Sequence, residues 1–595
     1  MAKSLVSDDH TLLSFSILIE EQPIPNSYGV VSIQIIREIN KISSARIRLV
    51  DGGSAEGEDF VIGNSQNFIP GKKITIKAGY NSREKEVFKG IIIKHGISLD
   101  QGGAFLWVEC KHEAVKMTIG RKNEIFNDKK DSDLINSIIQ KYSISKEVET
   151  TNTKHPELVQ HYSSDWDFVL MRADINGLVV TPDLDKLVVK KPNFDAEPVY
   201  KVTYGVDLIS FDAYIDARTQ LKKVEGLSWD FSNQQIIKAQ GNNPGEHHAG
   251  NLNSSQLANV VGLESYQIQT AAHVPMPVLD KLTSAKLTKA QLGYMRGTFK
   301  IMGIADINPG DIVEIKGLSD RFNGKMYLGG IKHEIDDQGW ISECFIGLSD
   351  EWYVNETPGI DAPFTSGFTP PIKGLTTAVV QQIDQDPDGN YRIQISIPTL
   401  QKDNMKLWAR LSHLYASNDA GTFFLPEIND EVIVGFLNED PQNPIILGML
   451  YSKKNKAPLE PKSDNPEKAI ITKQKLTISF SDEKKIITIS TPGNNKMIFS
   501  DDEKKIVITD QHENTIEMSQ DGILLKSKKN IVLKADQNIT LEAQGKIGLK
   551  ATQDLTGEGM NVSLKGNSQF SAEGAMAELK GSGQTTVKGG IVMIN

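Results

Sequence analysis

Cysteine is almost missing from this chain of 595 residues: there are two, Cys110 and Cys344, far apart in sequence. A small secreted scaffold held by disulfides needs a denser and more regular set, so that class is excluded and folding in a reducing cytoplasm is expected. Basic charge is also short. Lys and Arg number 65 against 76 Asp and Glu, a formal charge of −11, whereas an extended nucleic-acid footprint needs dense cations to neutralise phosphates, so nucleic acid is not an expected partner. No apolar run is long enough to cross a bilayer, and the opening MAKSLVSDDHTLLSF has acidic residues where a signal peptide carries its apolar stretch. No signal peptide is expected, and any export must be driven by something else.

What is present reads as mainly β with some α. The length, with 39% hydrophobic residues, suits several buried cores, about four domains. Over residues 1–354, segments such as SARIRLVD, KKITIKAG and AFLWVECK repeat their apolar side chains at every second position, the period of half-buried strands. Two helices stand out. DSDLINSIIQKY repeats Leu134, Ile135, Ile138, Ile139 and Tyr142 on one face, and DWDFVLMRADI stops at Asn176-Gly177. Residues 355–373, crowded with Pro, Gly, Ser and Thr, read as a linker, because proline removes a donor and fixes φ. Residues 374–452 hold five short strands separated by turn signals such as Asp386-Pro387-Asp388-Gly389, which suits a small closed barrel.

A second linker, 453–469, leads into 470–595. Two hairpin-like units, through Phe480-Ser481-Asp482-Glu483-Lys484-Lys485-Ile486 and Phe499-Ser500-Asp501-Asp502-Glu503-Lys504-Lys505-Ile506, come first. A period of eight follows. Ile523, Ile531, Ile539, Ile547 and Leu555 fall in register, and Leu525, Leu533, Leu541 and Leu549 follow the first four by two. The phase then slips by one to Val562 and Leu564, then Phe570 and Ala572. Residues two apart in a strand share a face, so each unit offers one apolar pair that a single strand cannot bury. Such units gain stability by stacking or by wrapping around copies of themselves. A disordered polar tail would lack the regular Ile/Leu pairs, and a single-chain solenoid is the alternative to an intertwined trimeric β-helix whose core is these residues. Glycine thickens toward the end, consistent with tight turns in a narrowing cross-section. Gly589, Gly590, Ile591, Val592, Met593, Ile594 and Asn595 would form a blunt apolar tip, a docking surface.

No enzyme constellation emerges, and no catalytic residue, metal or cofactor is expected. His112-Glu113-Ala114-Val115-Lys116 opens like a zincin helix but has Lys where the second His must bind zinc. Gly53-Ser54-Ala55-Glu56-Gly57 misses the nucleophile-elbow spacing, and Gly71-Lys72-Lys73 lacks a phosphate-loop pattern. Glu246-His247-His248 has no third spaced ligand.

Three groups of motifs resemble the VgrG family, spike proteins of type VI secretion and related contractile injection systems, which are similar to a fused myophage tail hub and needle. The first is Gln160-His161-Tyr162-Ser163-Ser164-Asp165-Trp166-Asp167-Phe168 with Arg172 and Asn176-Gly177-Leu178. The second is Asn308-Pro309-Gly310, Phe322-Asn323-Gly324 and Lys332-His333-Glu334-Ile335. The third is Asp386 to Gly389, Arg392-Ile393, Pro398, Trp408-Ala409-Arg410, Phe424-Leu425-Pro426, Asp430-Glu431-Val432 and Gly448-Met449-Leu450-Tyr451. Asn429 stands where the family usually has Gly, and Ser164 where Glu is usual.

The resemblance implies a homotrimer with a tail-hub-like domain of two β-barrels and helical insertions, an OB-fold collar and a needle. Implied partners are further copies of the chain, baseplate proteins, the first ring of an Hcp-like tube, a PAAR-like tip protein and effectors. It would be assembled in the baseplate and released on contraction outside or into a target cell, meeting the target membrane only by puncture. An extracellular phage-like injection particle or a phage tail would use the same parts. A trimeric adhesin or glycan-cleaving tailspike is a further alternative, which would call for aromatic and paired acidic residues, whereas 523–595 has one aromatic, Phe570.

Overall fold

The structure is a computed structural model and describes residues 3–4, 12–52, 60–245, 249–400 and 406–594. The turn at 53–57, Glu246-His247-His248 and Asn595 lie outside the described residues. The chain is mainly β and divides into two compact units, Met1–Met449 and Leu450–Asn595.

In the first unit the strands Val30–Glu38, Ser44–Val50, Gly103–Lys111, Arg83–Asp100, Lys73–Tyr80 and Leu13–Ile19 pair antiparallel, each with the next. Their alternation sorts the side chains. Along Ser44–Val50, Ala45, Ile47 and Leu49 are buried, while Arg46 and Arg48 lie over the Trp107 and Phe105 rings on the other face. The long strand Gly324–Asp336 belongs to two cores. Its Ile335 packs with Ile33, Phe88 and Trp340, and its Met326, Leu328 and Ile331 pack with Tyr294, Phe299 and Cys344. Fourteen strands therefore form one continuous hydrogen-bonded network around two cores, and both cysteines are buried thiols, one in each.

The two helices expected from their spacing are Asp131–Gln140 and Asp165–Ile175. Leu134, Ile135, Ile138 and Ile139 are fully buried, in a core shared with Trp166, Val169 and Leu187. Asn176 and Gly177, the latter at φ +67, end the second helix, a conformation that glycine adopts without a Cβ clash. A longer helix, Met276–Leu292, was not singled out by its spacing, since its buried residues include Thr283, Lys286, Lys289 and Gln291.

Residues 355–373 hold no strand, yet they are pinned. Arg121 donates to the carbonyls of Gly359, Ile360 and Asp361, and Ile372 N–H donates to Glu439 at 3.0 Å. The five strands beyond them, Thr376–Gln382, Ile393–Ser396, Leu407–Leu411, Glu431–Phe436 and Pro444–Met449, close into a barrel over Val380, Ile395, Ala409, Val434 and Ile446. Asp386 accepts from Arg392 and from the N–H groups of Asp388, Asn390 and Arg392. That bonding, Arg392 foremost, holds its carboxyl well below the usual range. Asn429 sits at φ +73. Asparagine is among the few side chains that tolerate this region, which is why it can replace glycine there. Asn429→Ala is expected to lower barrel stability by about 1 kcal/mol and Asn429→Gly to leave it near the parent, as read by urea unfolding.

The second unit opens with a seven-stranded antiparallel meander: Glu467–Ile471, Thr477–Ser481, Ile486–Ser490, Lys496–Ser500, Lys505–Thr509, Thr515–Ser519 and Gly522–Lys526. Its first strand starts within the segment read as a linker. Both hairpin-like units of the sequence are hairpins, their turns at 482–485 and 501–504.

Candidate assembly interface

The motif residues of the first unit are structural fasteners. Asp165 is fully buried and accepts from Lys122 at 2.6 Å, Tyr142 Oη at 2.7 Å and Gln160 Nε2 at 3.0 Å. Ser164 caps the helix, accepting from Asp167 N–H at 3.1 Å, a role open to a short hydroxyl side chain. Asp131 is buried too. It accepts from Arg172 Nε at 2.6 Å and Asn176 Nδ2 at 2.9 Å, and lies 3.0 Å from His155 Nε2. Lys289 pairs with Asp174 at 2.6 Å, and Tyr353 donates its hydroxyl to Asp167, so the helix Asp165–Ile175 ties Met276–Leu292 and the 353–356 turn together. A cavity of about 810 Å³ beside these elements is lined by Trp166, Leu178, Lys289 and Arg296 among others. The two lysines that line it, Lys41 and Lys289, are paired with Glu38 and Asp174. His112 spends Nδ1 as the acceptor of Ala114 N–H, at the end of the strand Gly103–Lys111. Among the described residues no group of three or more His, Cys, Asp or Glu is placed to hold a metal, and no helix is long and apolar enough to cross a membrane.

The second unit is different, for it exposes what a folded chain ordinarily hides. Cross-strand partners share a face, and the register runs Ile470, Ile478, Ile489, Met497, Ile508, Ile516, Leu525 in one row and Phe480, Ile487, Phe499, Ile506, Met518, Ile523 in the next. One apolar row thus crosses all seven strands of the meander and a second crosses six, with Lys468 in its place on the first strand. Ser479, Thr488 and Glu517 are among the residues of its opposite face. Most of the apolar rows is a third to a half exposed within the single chain. The repeat pattern had not placed these residues from 470 to 518 in an interface. Their signal was the period-two alternation carried across successive hairpins.

From Asn530 onward the described chain is extended and, among the described residues, joins no sheet of its own. It bends at 528–529, 536–537, 544–545, 552–553, 560–561, 567–568, 575–576, 582–583 and 590–591. The bends follow the apolar repeat, including its slip after Leu555. Ile523, Leu525, Ile531, Leu533, Ile539, Leu541, Ile547, Leu549, Leu555, Val562, Leu564 and Phe570 remain between 50% and 75% exposed. Ile591, Met593 and Ile594 are more exposed still.

The model of the Alg8 N-terminal domain matches residues 9–337, more than half of the chain. The chain belongs to the Alg8 N-terminal domain family. The model of the type VI secretion system/phage-baseplate injector OB domain matches residues 376–451 of this Alg8-family chain, the closed barrel. The chain is also VgrG-like, as its motifs imply. It is 33% identical over 170 residues to the type VI secretion system spike protein VgrG1a of Pseudomonas aeruginosa, covering 26% of each chain, and 32% identical over 120 residues to VgrG1c of the same organism, covering 18% of this chain and 16% of that one. It therefore spans about a quarter or less of the curated relatives it matches. Among solved structures, the prophage MuSo2 43 kDa tail protein of Shewanella oneidensis overlaps 57% of this Alg8-family chain and 98% of its own, with 12% identity and a TM-score of 0.44.

Proposed function

We propose that this chain is the central spike of a phage-like contractile injection machine, a homotrimer that pierces a target envelope and performs no catalysis of its own. The observation that carries this is the segment 530–594: extended backbone, bent every seven or eight residues, with apolar pairs exposed and no ladder of its own among the described residues. Backbone N–H and C=O groups and apolar pairs of this kind are satisfied together when three chains wind about one axis. Closure also removes the free edges that would promote aggregation. The apolar face of the meander would join the same core, and residues 589–595 would carry a PAAR-like cap. The first unit would seat the spike on baseplate proteins and the first ring of an Hcp-like tube, and contraction would drive spike, tube and attached effectors outward from a bacterial cell.

A type VI apparatus, an extracellular injection particle and a phage tail all accommodate this reading, and the matched barrel is described for both secretion and phage baseplates. Light scattering and electron microscopy on the full chain and on a version ending at Asp464 test it. The expected result is a trimer with a thin rod in the first and no rod in the second. A monomeric full chain overturns the reading.

A further inference from the structure

The repeat carries a second pattern, in charge. In each unit the residue after the second apolar position falls two places before a bend: Lys526, Lys534, Glu542, Lys550, Glu558, Lys565, Glu573, Lys580 and Lys588 precede the bends that begin at 528, 536, 544, 552, 560, 567, 575, 582 and 590. The offset survives both the eight-residue and the seven-residue units, so these positions are structurally equivalent. From Lys534 to Lys580 their sign alternates without a break. Alternation along a strand puts this residue on the face opposite the apolar pair, and all nine are exposed in the single chain. Other charges, such as Lys528, Asp536, Lys546 and Asp554, lie at or beside bends and do not share one position of the unit: the first two begin a bend and the last two follow one. Glu578 shares a unit with Lys580, at 3.3 Å.

We propose that Lys534 to Lys580 form an ion-pair ladder between neighbouring copies of the chain, which fixes the register in which the three needles wind. This rests on the trimeric reading above. In three chains wound about one axis, the strand following unit n of one chain is unit n+1 of its neighbour, about 4.8 Å away. Opposite charges then face each other at every step, whereas one sign throughout would set like charges side by side, which is destabilising. From Ile523 to Leu549 the apolar pairs alone are a poor register mark, because Ile and Leu recur in each of these four eight-residue units and a slip of one unit leaves them matched there. The charges break that equivalence. A one-unit slip brings unit n against n or n+2, pairing Lys with Lys and Glu with Glu along the row.

The test inverts the row in the full chain (Lys534→Glu, Glu542→Lys, Lys550→Glu, Glu558→Lys, Lys565→Glu, Glu573→Lys, Lys580→Glu) and co-expresses it with the parent chain under a different tag. Native mass spectrometry counts the trimers. The ladder predicts self-sorting at low salt, with mixed trimers at least about tenfold below the roughly three-quarters share that random assortment of three chains gives. A mixed trimer cannot recover by slipping one unit, since its seven-residue units would no longer coincide. Random mixing overturns the ladder and leaves the trimer standing, whereas a monomeric parent removes the trimer itself. Should the inverted chain not assemble, Glu558→Lys alone decides the matter. Its needle is expected to melt below the parent at low salt and level with it in 1 M salt, where such pairs are screened, and an equal melting point in both salts refutes the ladder.

Discussion

An Asp131→Ala chain is expected to lose about 3–5 kcal/mol from the unfolding of its first unit, the cost of breaking a buried ion pair from one side. Burial alone would raise the Asp131 carboxyl, but Arg172, together with bonds from Asn176 and His155, outweighs it and holds the group below its ordinary value. Without the carboxylate, Arg172 keeps its charge in a nearly closed site and Asn176 loses an acceptor. Asp131→Asn keeps the shape while removing the charge and should fall between the two. Denaturant unfolding followed by tryptophan fluorescence reads this, because Trp166 lies in the affected core. A loss under about 1 kcal/mol would show that Asp131 is not a fastener.

Acid should loosen the same unit well before the carboxylates neutralise. His112 and His333 are buried, and burial pushes their pKa values down, to about 4 and about 3, with Arg37 nearby adding to the effect. For His112 the carboxylates of Glu113, Asp183 and Asp185 oppose the shift without cancelling it. Each ring already uses Nδ1: His112 accepts from Ala114 N–H, and His333 lies 2.9 Å from Ser342 Oγ with the Trp340 Nε1 donor at 3.4 Å. Protonation would turn an acceptor toward a donor. Among the described residues neither Nε2 has a partner. Because the unfolded chain takes up these protons near pH 6.5 and the folded chain does not until lower pH, the stabilisation is complete above about 6.5 and lost as pH falls toward 4. The slope for both rings together is about 3 kcal/mol per pH unit. His112→Gln with His333→Gln should flatten the unfolding free energy between pH 6 and 4.5, and an unchanged slope would reject the assignment.

Where side chains follow a period, the sequence was a good guide. The helix Asp131–Gln140 and the closed barrel are visible in it, because their burial is decided by apolar residues at helical or strand spacing. The helix Met276–Leu292 is not, since Lys289 is buried through Asp174 and Lys286 through the Asp350 carbonyl, partners distant in sequence. The signature around Gln160–Arg172 could be recognised but not explained, for its meaning is a set of buried bonds to Lys122, Tyr142 and Asp131 contributed by other elements. From Ile523 onward the eight-residue period named part of the exposed apolar set. The rest, on the meander, needed the register between strands.

That meander is also modular. Glu467 to Ile486 to Lys505, and Thr477 to Lys496 to Thr515, are steps of nineteen residues, one strand up and one strand down. Adding or removing one such step returns the chain to the same edge with the same face inward, and changes the sheet by two strand spacings, about 10 Å. A lineage carrying this sheet can therefore lengthen or shorten it by duplicating or deleting a whole step, while a change of half a step would send every following segment off in the opposite direction. Length becomes a quantity that evolution can count in pairs of strands.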